Sequence, residues 1–152
     1  MTLAIVDYKK EYQPYFEKLN NAWLEEYFSI EPIDKYVLQN PEEAIIKDGG
    51  KIYFVTENEK IIGTVALRVL EPNIFEMTKM AVAKESRGDG AGKLLCLTAI
   101  EKVKELKAKK LVLYSTTVLE TAICIYRALG FVEVPLEPGM YKRANIKMEI
   151  VF

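Results

Sequence analysis

The chain has 152 residues, of which 50% are hydrophobic, so we expect a single domain over residues 1–152 with its own core. Its 21 basic and 22 acidic residues leave a formal net charge of −1. This balance excludes bulk attraction to nucleic acid or to an anionic membrane.

The hydrophobic pattern predicts the element order β, α, α, β, β, β, α, β, α, β, β, which suits a mixed α/β sheet with helices on both faces. The expected strands are 3–7, 51–57, 60–70, 74–83, 111–115, 131–134 and 145–151. The expected helices are 10–28, a broken region interrupted by Pro32 and Pro41, a helix from 93, and 119–129. The 10–28 helix carries an apolar stripe that we expect to face the core: Tyr12, Tyr15, Phe16, Leu19, Ala22 and Trp23.

A glycine-rich loop joins the 74–83 strand to the next helix: residues 87–93 read Arg-Gly-Asp-Gly-Ala-Gly-Lys. Glycines allow positive φ, and the first turn of a helix offers N–H groups without internal partners, which favour a phosphate. A Walker loop would need glycine at Arg87 and Ser or Thr at Leu94, and the third glycine of the dinucleotide fingerprint would fall on Lys93. The loop therefore predicts a phosphate or pyrophosphate site of another kind.

The remaining pattern is Arg-x-x-Gly-x-Gly, formed by Arg87, Gly90 and Gly92. It resembles the pyrophosphate loop of the GNAT acetyltransferase family, which uses acetyl-coenzyme A. A second motif, Tyr126-Arg127-Ala128-Leu129-Gly130-Phe131, is similar to the end of that family's penultimate helix, with Gly130 at the left-handed position. Residues 19–28, 40–42 and 49–54 also resemble one branch of the family.

The resemblance implies a mainly antiparallel central sheet in a single N-acetyltransferase domain. The strands at 74–83 and 111–115 would splay apart, and the pantetheine arm would pair with the exposed backbone at Met80 and Val82. Many relatives carry an asparagine where this chain has Thr116-Thr117, whose hydroxyls reach less far. The residues implied for acetyl-coenzyme A are Met80, Ala81, Val82, Arg87, Gly88, Asp89, Gly90, Ala91, Gly92, Lys93, Thr116, Thr117 and Tyr126.

Two residues are implied as catalytic by the same resemblance. Glu76 would accept the amine proton directly or through water, and its apolar strand should raise its pKa. Tyr126 would hydrogen-bond or protonate the leaving thiolate. The alternatives are a solvent-facing or salt-bridged strand residue for Glu76, and an aromatic packed on the sheet for Tyr126. We expect direct transfer in a ternary complex, because no side chain resembles an activated nucleophile.

The acceptor is expected to be a small-molecule or peptide amine. Candidate residues for its site are Glu25, Glu26, Tyr27, Phe28, Tyr36, Tyr141 and Arg143. Acidic and aromatic side chains favour a small cationic amine, whereas an arginine beside a tyrosine favours a carboxylate-bearing amino acid. We expect Glu25 and Glu26 to form an acidic rim, and a homodimer is left open. The alternative function is a non-catalytic sensor or interaction module that binds acetyl-coenzyme A.

The chain contains no histidine and two cysteines, Cys96 and Cys124. Both cysteines fall on apolar stretches of predicted helices, so we expect buried free thiols. Without an imidazole, we expect neither a zinc site nor a Cys-His or Ser-His catalytic unit, and no metal is expected. No apolar stretch approaches the roughly 18 to 20 residues of a membrane span, and residues 1–12 lack a signal-peptide core. We therefore expect a cytoplasmic protein with no membrane partner.

Overall fold

The computed structural model describes residues 2–137 and 142–152. Within these residues, seven strands form one sheet in the order β1-β2-β3-β4-β5-β7-β6. The strands are β1 (Leu3–Asp7), β2 (Lys51–Glu57), β3 (Lys60–Glu71), β4 (Ile74–Val82), β5 (Lys110–Ser115), β6 (Val132–Val134) and β7 (Ile146–Val151). The helices are α1 (Gln13–Tyr27), α2 (Pro32–Gln39), α3 (Ala91–Glu105) and α4 (Glu120–Ala128).

All neighbouring strands pair antiparallel except β4 and β5, which are parallel. The sheet has helices on both faces, because α3 and α4 pack into one hydrophobic cluster and α1 and α2 into another. The predicted α/β class, element order and mainly antiparallel sheet are confirmed.

The predicted helix at 10–28 is shorter than expected, because Lys10–Tyr12 form a 3₁₀ turn before α1. Its buried face also differs from the predicted stripe: Phe16, Asn20 and Leu24 are buried, whereas Tyr15 is 48% exposed. Asn20 tolerates burial because its side-chain amide donates to the Phe16 carbonyl at 2.9 Å. The prediction that Tyr15 and Ala22 face the core is therefore wrong, because both residues are exposed.

Two turns follow from local sequence. The β2–β3 hairpin has Asn58 and Glu59 at φ of 51° and 69°, which is the pair of positive values that a type I′ turn requires. Helix α4 ends with Gly130 at a φ of 107°, and Phe131 N–H donates to the Tyr126 carbonyl at 3.0 Å. This Schellman geometry directs the chain from α4 to β6.

The two cysteines differ in their surroundings. Both are free, but Cys96 of α3 is buried whereas Cys124 of α4 is exposed. The prediction of a buried thiol is wrong for Cys124. This residue lies on the exposed side of α4, whereas Ile123 and Tyr126 lie on the buried side.

Strand β4 contains a β-bulge near its carboxyl end. Ala66 of β3 lies opposite Thr78, but Thr64 lies opposite Ala81, so β4 has one extra residue in this interval. Lys79 lies within the interval and has a φ of 53°. The bulge turns the Lys79 side chain toward α2, where it contacts Asp34.

The central strands separate beyond this short region of pairing. Strands β4 and β5 pair only at Ile74, Phe75 and Glu76, opposite Lys110 to Val112. From Met77 onward, no strand in the described part of the chain pairs with β4 on this side, so a gap opens in the middle of the sheet. This is the splay that the resemblance implied.

Candidate active site

A cleft of about 760 Å³ occupies the gap between β4 and β5. The end of α1, the loop before α3 and the start of α4 complete its walls. Of the residues predicted for the cofactor, these line the cleft: Met80, Ala81, Val82, Arg87, Gly88, Gly90, Gly92, Lys93, Thr116 and Tyr126. Asp89, Ala91 and Thr117 are not among its lining residues.

The loop at one end of the cleft has the geometry of an anion site. Gly88 and Gly90 take φ of 92° and 88°, and Gly90 is the residue that precedes α3. The first helical hydrogen bond runs from Leu94 N–H to the Gly90 carbonyl at 3.0 Å, and no side chain caps the helix. The first N–H groups of α3 are thus available to an anion.

The open edge of β4 offers backbone groups to the cleft. The Ala83 N–H donates to the Ile62 carbonyl of β3 at 2.7 Å. Because backbone groups alternate in direction along a strand, those of Val82 face the gap. The Val82 carbonyl accepts a 3.2 Å hydrogen bond from Arg87 Nε. This edge can add an extended ligand with amide groups.

Tyr126 lines the cleft from α4 and is 8% exposed. Its ring packs edge-to-face on Phe131, with the centroids 5.8 Å apart. Within residues 2–137 and 142–152, its hydroxyl has no hydrogen-bond partner. Burial, and then the nearby Cys96 thiol, raise the pKa of Tyr126 well above its usual value. The hydroxyl therefore stays protonated and can donate a hydrogen bond into the cleft.

Glu76 is only 1% exposed and is not among the residues that line the cleft. Its carboxylate accepts a hydrogen bond from Arg68 Nε at 3.2 Å and lies 3.1 Å from Arg68 Nη2. This salt bridge matches the alternative to a catalytic role that the sequence left open for Glu76. Because side chains alternate along β4, Glu76 shares the face of Thr78, which does line the cleft. A role as base then requires an intervening water.

A buried ionic network lies beside Glu76. Asp34 of α2 is fully buried and accepts hydrogen bonds from Lys79 Nζ at 2.7 Å and from Arg143 at 2.9 and 3.0 Å. Arg143 also contacts Glu31 at 2.8 Å. Burial alone would raise the pKa of Asp34, but the hydrogen bonds from Arg143 and Lys79 lower it to about 2. Burial lowers the pKa of Lys79, and the Asp34 charge partly opposes this effect.

The sequence did not indicate Asp34 or Lys79 as site residues. Asp34 reads as a capping residue, and indeed it accepts a hydrogen bond from the Glu31 N–H at 2.9 Å at the start of α2. Lys79 reads as an ordinary strand lysine. Asp34 stands between Ile33 and Lys35 in a helix of mixed polarity, so the sequence carries no signal for its burial.

The predicted acceptor residues are only partly brought together. Tyr27, Phe28 and Arg143 line the cleft, whereas Glu25 and Tyr36 are exposed and do not. Glu26 is also not a lining residue, and its carboxylate pairs with Arg87 of the glycine loop at 2.9 Å. The expected acidic rim of Glu25 and Glu26 is therefore not formed. Tyr141 lies outside the described residues.

The threonine pair after β5 has two different environments. Thr116 is buried and lines the cleft, and its carbonyl accepts a 3.1 Å hydrogen bond from the Leu119 N–H. Thr117 instead pairs with Asn145, donating its N–H to Oδ1 at 2.9 Å. The Asn145 amide donates to the Thr117 hydroxyl at 3.1 Å. Of the two, only Thr116 is placed to contact a ligand in the cleft.

The described residues also bear on the predictions about metal ions and membranes. Residues 2–137 and 142–152 contain no cluster of three or more Cys, Asp or Glu side chains arranged to hold a metal ion. No helix in this part of the chain is long and apolar enough to cross a membrane.

Comparison with known proteins agrees with this geometry. A sequence model described as "Acetyltransferase (GNAT) family" matches residues 10–131. YjgM of Escherichia coli K12, an uncharacterized N-acetyltransferase, is 35% identical over 94 residues, which are 59% of this chain and 56% of YjgM. The chain spans about half the length of the curated relatives it matches.

Solved structures share the fold. A GNAT-family acetyltransferase from Staphylococcus aureus Mu50 has a TM-score of 0.86 and 23% identity, over 97% of this chain and 98% of that chain. YncA of Salmonella typhimurium, solved with its cofactor acetyl-CoA, has a TM-score of 0.80 and 14% identity, over 99% of this chain and 94% of that chain.

Proposed function

Because this chain belongs to the acetyltransferase (GNAT) family, we propose that it transfers an acetyl group from acetyl-CoA to a primary amine of a small molecule or peptide. The observation that carries the proposal is the continuous path from the β4–β5 gap to the uncapped start of α3. An extended thioester with an anionic end matches this path, because the gap offers strand-edge groups and the helix start offers N–H donors. YncA, which was solved with acetyl-CoA, supports the choice of acyl donor.

Each part of the cleft has a distinct role in this proposal. Arg87 to Lys93 bind the phosphate groups, and the backbone of Met80 and Val82 binds the pantetheine arm. When bound, acetyl-CoA supplies an activated acyl group as a thioester. Tyr126 then lies on the α4 wall, where its protonated hydroxyl donates a hydrogen bond to the departing sulfur.

Transfer proceeds by direct attack of the amine in a ternary complex. The amine nitrogen forms a bond to the acyl carbon, the carbon–sulfur bond breaks, and the amine proton passes to Glu76 through water. Neither cysteine is suited to form a covalent acyl-enzyme intermediate. Cys96 is buried, which raises the pKa of its thiol to about 12, and Cys124 does not line the cleft.

The acceptor side of the cleft favours an amine that also carries an anionic group. Lys79 and Arg143 line the cleft, whereas their partners Asp34 and Glu31 are not lining residues. A carboxylate of the acceptor can therefore approach the Arg143 guanidinium from the cleft. This replaces the cationic amine that the acidic-rim prediction favoured.

The test is the release of free coenzyme A from acetyl-CoA across a panel of amines, with the acetylated product confirmed by mass. Each amine is compared with its carboxylate-bearing counterpart, such as ethylamine with β-alanine. We expect turnover that is higher for the carboxylate member of each pair. Tight acetyl-CoA binding without turnover of any amine would instead support a non-catalytic acetyl-CoA-binding module.

A further inference from the structure

We propose that Glu26 sets the affinity for acetyl-CoA by competing with its phosphate groups for Arg87. The inference rests on the proposed function, because it assumes that the glycine loop binds those phosphates. Glu26 would thus be an affinity-determining residue that never contacts the reacting atoms.

Arg87 is held at two points in the structure. Its Nε donates to the Val82 carbonyl at the end of β4, at 3.2 Å. Its Nη1 donates to both carboxylate oxygens of Glu26, at 3.0 and 2.9 Å, and approaches the Tyr27 hydroxyl at 3.4 Å. The guanidinium also lies 5.8 Å from the centre of the Tyr27 ring. The arginine of the glycine loop is therefore tied to the last turn of α1.

Glu26 is ionised in this arrangement. Hydrogen bonding to Tyr27, and then to Arg87, lowers the pKa of the Glu26 carboxyl. The pair remains partly exposed, with 30% of the Arg87 side chain and 28% of the Glu26 side chain accessible. A surface pair of this kind is weak enough for another anion to break it.

A phosphate bound at the glycine loop would interact with both members of this pair, because Arg87 attracts it and Glu26 repels it. The Glu26 carboxylate occupies Arg87 Nη1, which is one of the donors that a phosphate oxygen could bind, and its charge repels the phosphate within a Debye length. Binding of acetyl-CoA must therefore either separate Arg87 from Glu26 or accept the repulsion. Both cost binding free energy that a neutral side chain at this position would not.

The adjacent glutamate provides a matched control. Glu25 has the same charge and lies in the same helical turn, but it is exposed and has no ion pair with the glycine loop. Glu25→Gln and Glu26→Gln thus change the net charge equally. They differ in whether the pair with Arg87 is lost.

The experiment measures the dissociation constant of acetyl-CoA by calorimetry for the wild type and for both variants. Because the competing pair is worth what a surface ion pair is worth, we expect Glu26→Gln to bind about two- to fivefold more tightly. Glu25→Gln should match the wild type. S-acetyl-pantetheine, which has no phosphate, should show no gain in the Glu26 variant.

Each other outcome overturns the inference. Weaker binding by Glu26→Gln would mean that Glu26 positions Arg87 for the phosphates instead of competing with them. An equal gain in both variants would assign the effect to net charge. Absence of acetyl-CoA binding by the wild type would overturn the proposed function as well, whereas wild-type binding with an unchanged Glu26 variant would overturn the competition alone. Thermal unfolding confirms that each variant is folded.

Discussion

Tyr126 is the one predicted catalytic residue whose side chain lines the cleft. The Tyr126→Phe variant keeps the ring packed against Phe131, so we expect the fold and the acetyl-CoA affinity to be retained. Loss of the hydroxyl should lower kcat by about ten- to ten-thousandfold, the usual contribution of one positioned proton donor. Steady-state kinetics and calorimetry together separate these effects.

Tyr53→Phe serves as the control for this variant. Tyr53 is also a buried tyrosine whose pKa is raised by burial, to about 12, but it does not line the cleft. Loss of the Tyr53 hydroxyl should leave kcat unchanged. If Tyr126→Phe also keeps the wild-type kcat, Tyr126 is a packing residue, as in the alternative interpretation.

Glu76 presents a different case, because its ion pair with Arg68 competes with a role in proton transfer. Glu76→Gln conserves the shape and an oxygen that can accept from Arg68, so we expect a folded protein. If Glu76 accepts the amine proton through water, kcat/KM should fall about a hundredfold, within the range for general-base catalysis. Glu71→Gln, at the exposed end of β3, makes the same chemical change and serves as the matched control. A wild-type rate in the Glu76 variant would assign the proton to bulk water or to another group.

Among the structural elements, we predict that the glycine loop and α3 bind acetyl-CoA as one unit and that this binding depends on Gly90. A Cβ built on Gly90 meets no atom within 4 Å, so the space in front of the helix is open, yet its φ is 88°. Valine there costs about 1 to 2 kcal/mol in backbone strain, and its methyl groups would enter the proposed phosphate site. We expect Gly90→Val to weaken acetyl-CoA binding at least about tenfold, because both effects act where the phosphate would bind.

Gly49→Val separates strain from ligand contact. Gly49 has a similar φ of 97°, and its Cβ would lie 3.7 Å from Val69, away from the cleft. This variant should lose similar stability in urea unfolding while keeping the wild-type dissociation constant for acetyl-CoA. Equal loss of binding in both variants would show that destabilisation, and not the loop, explains the effect.

The elements themselves were predictable where the pattern was local. Strand β2 was predicted at its observed bounds because its apolar run ends at a hairpin turn. The end of α4 was predictable because Gly130 takes the left-handed conformation that terminates a helix. The inner face of α1 was not predictable from apolar spacing. Asn20 is buried because its amide bonds to the helix backbone, while Tyr15 remains at the surface.

Across the whole chain, the residues that line the glycine-loop end of the cleft were more predictable from the sequence than those around Arg143. Arg87, Gly90 and Tyr126 lie in two short motifs that carry their own geometry. The acceptor side depends on contacts between residues 45 and 109 positions apart, from Asp34 to Lys79 and to Arg143. No periodicity or short motif connects such positions, and the bulge that turns Lys79 inward has no glycine to signal it.

Asp34 joins α2, β4 and the segment before β7 in a single ionic cluster, so its charge matters to the whole fold. Asp34→Asn would leave Lys79 and Arg143 without their shared carboxylate in a buried position. Removing one member of a buried ion pair costs about 3 to 5 kcal/mol, which we expect in urea unfolding at pH 7. Asp48→Asn, at an exposed position, should cost almost nothing.

The same residue predicts how the stability of the wild type depends on pH. The pKa of Asp34 is lowered from 3.8 to about 2 in the folded protein, so the unfolded chain takes up a proton first as the pH falls. The stability that Asp34 contributes is therefore complete above about pH 4 and is lost between about pH 4 and 2. Asp34→Asn should lack this part of the acid transition, and Asp48→Asn should keep it. If the two variants decline in parallel with the wild type below pH 4, the Asp34 cluster does not govern acid stability.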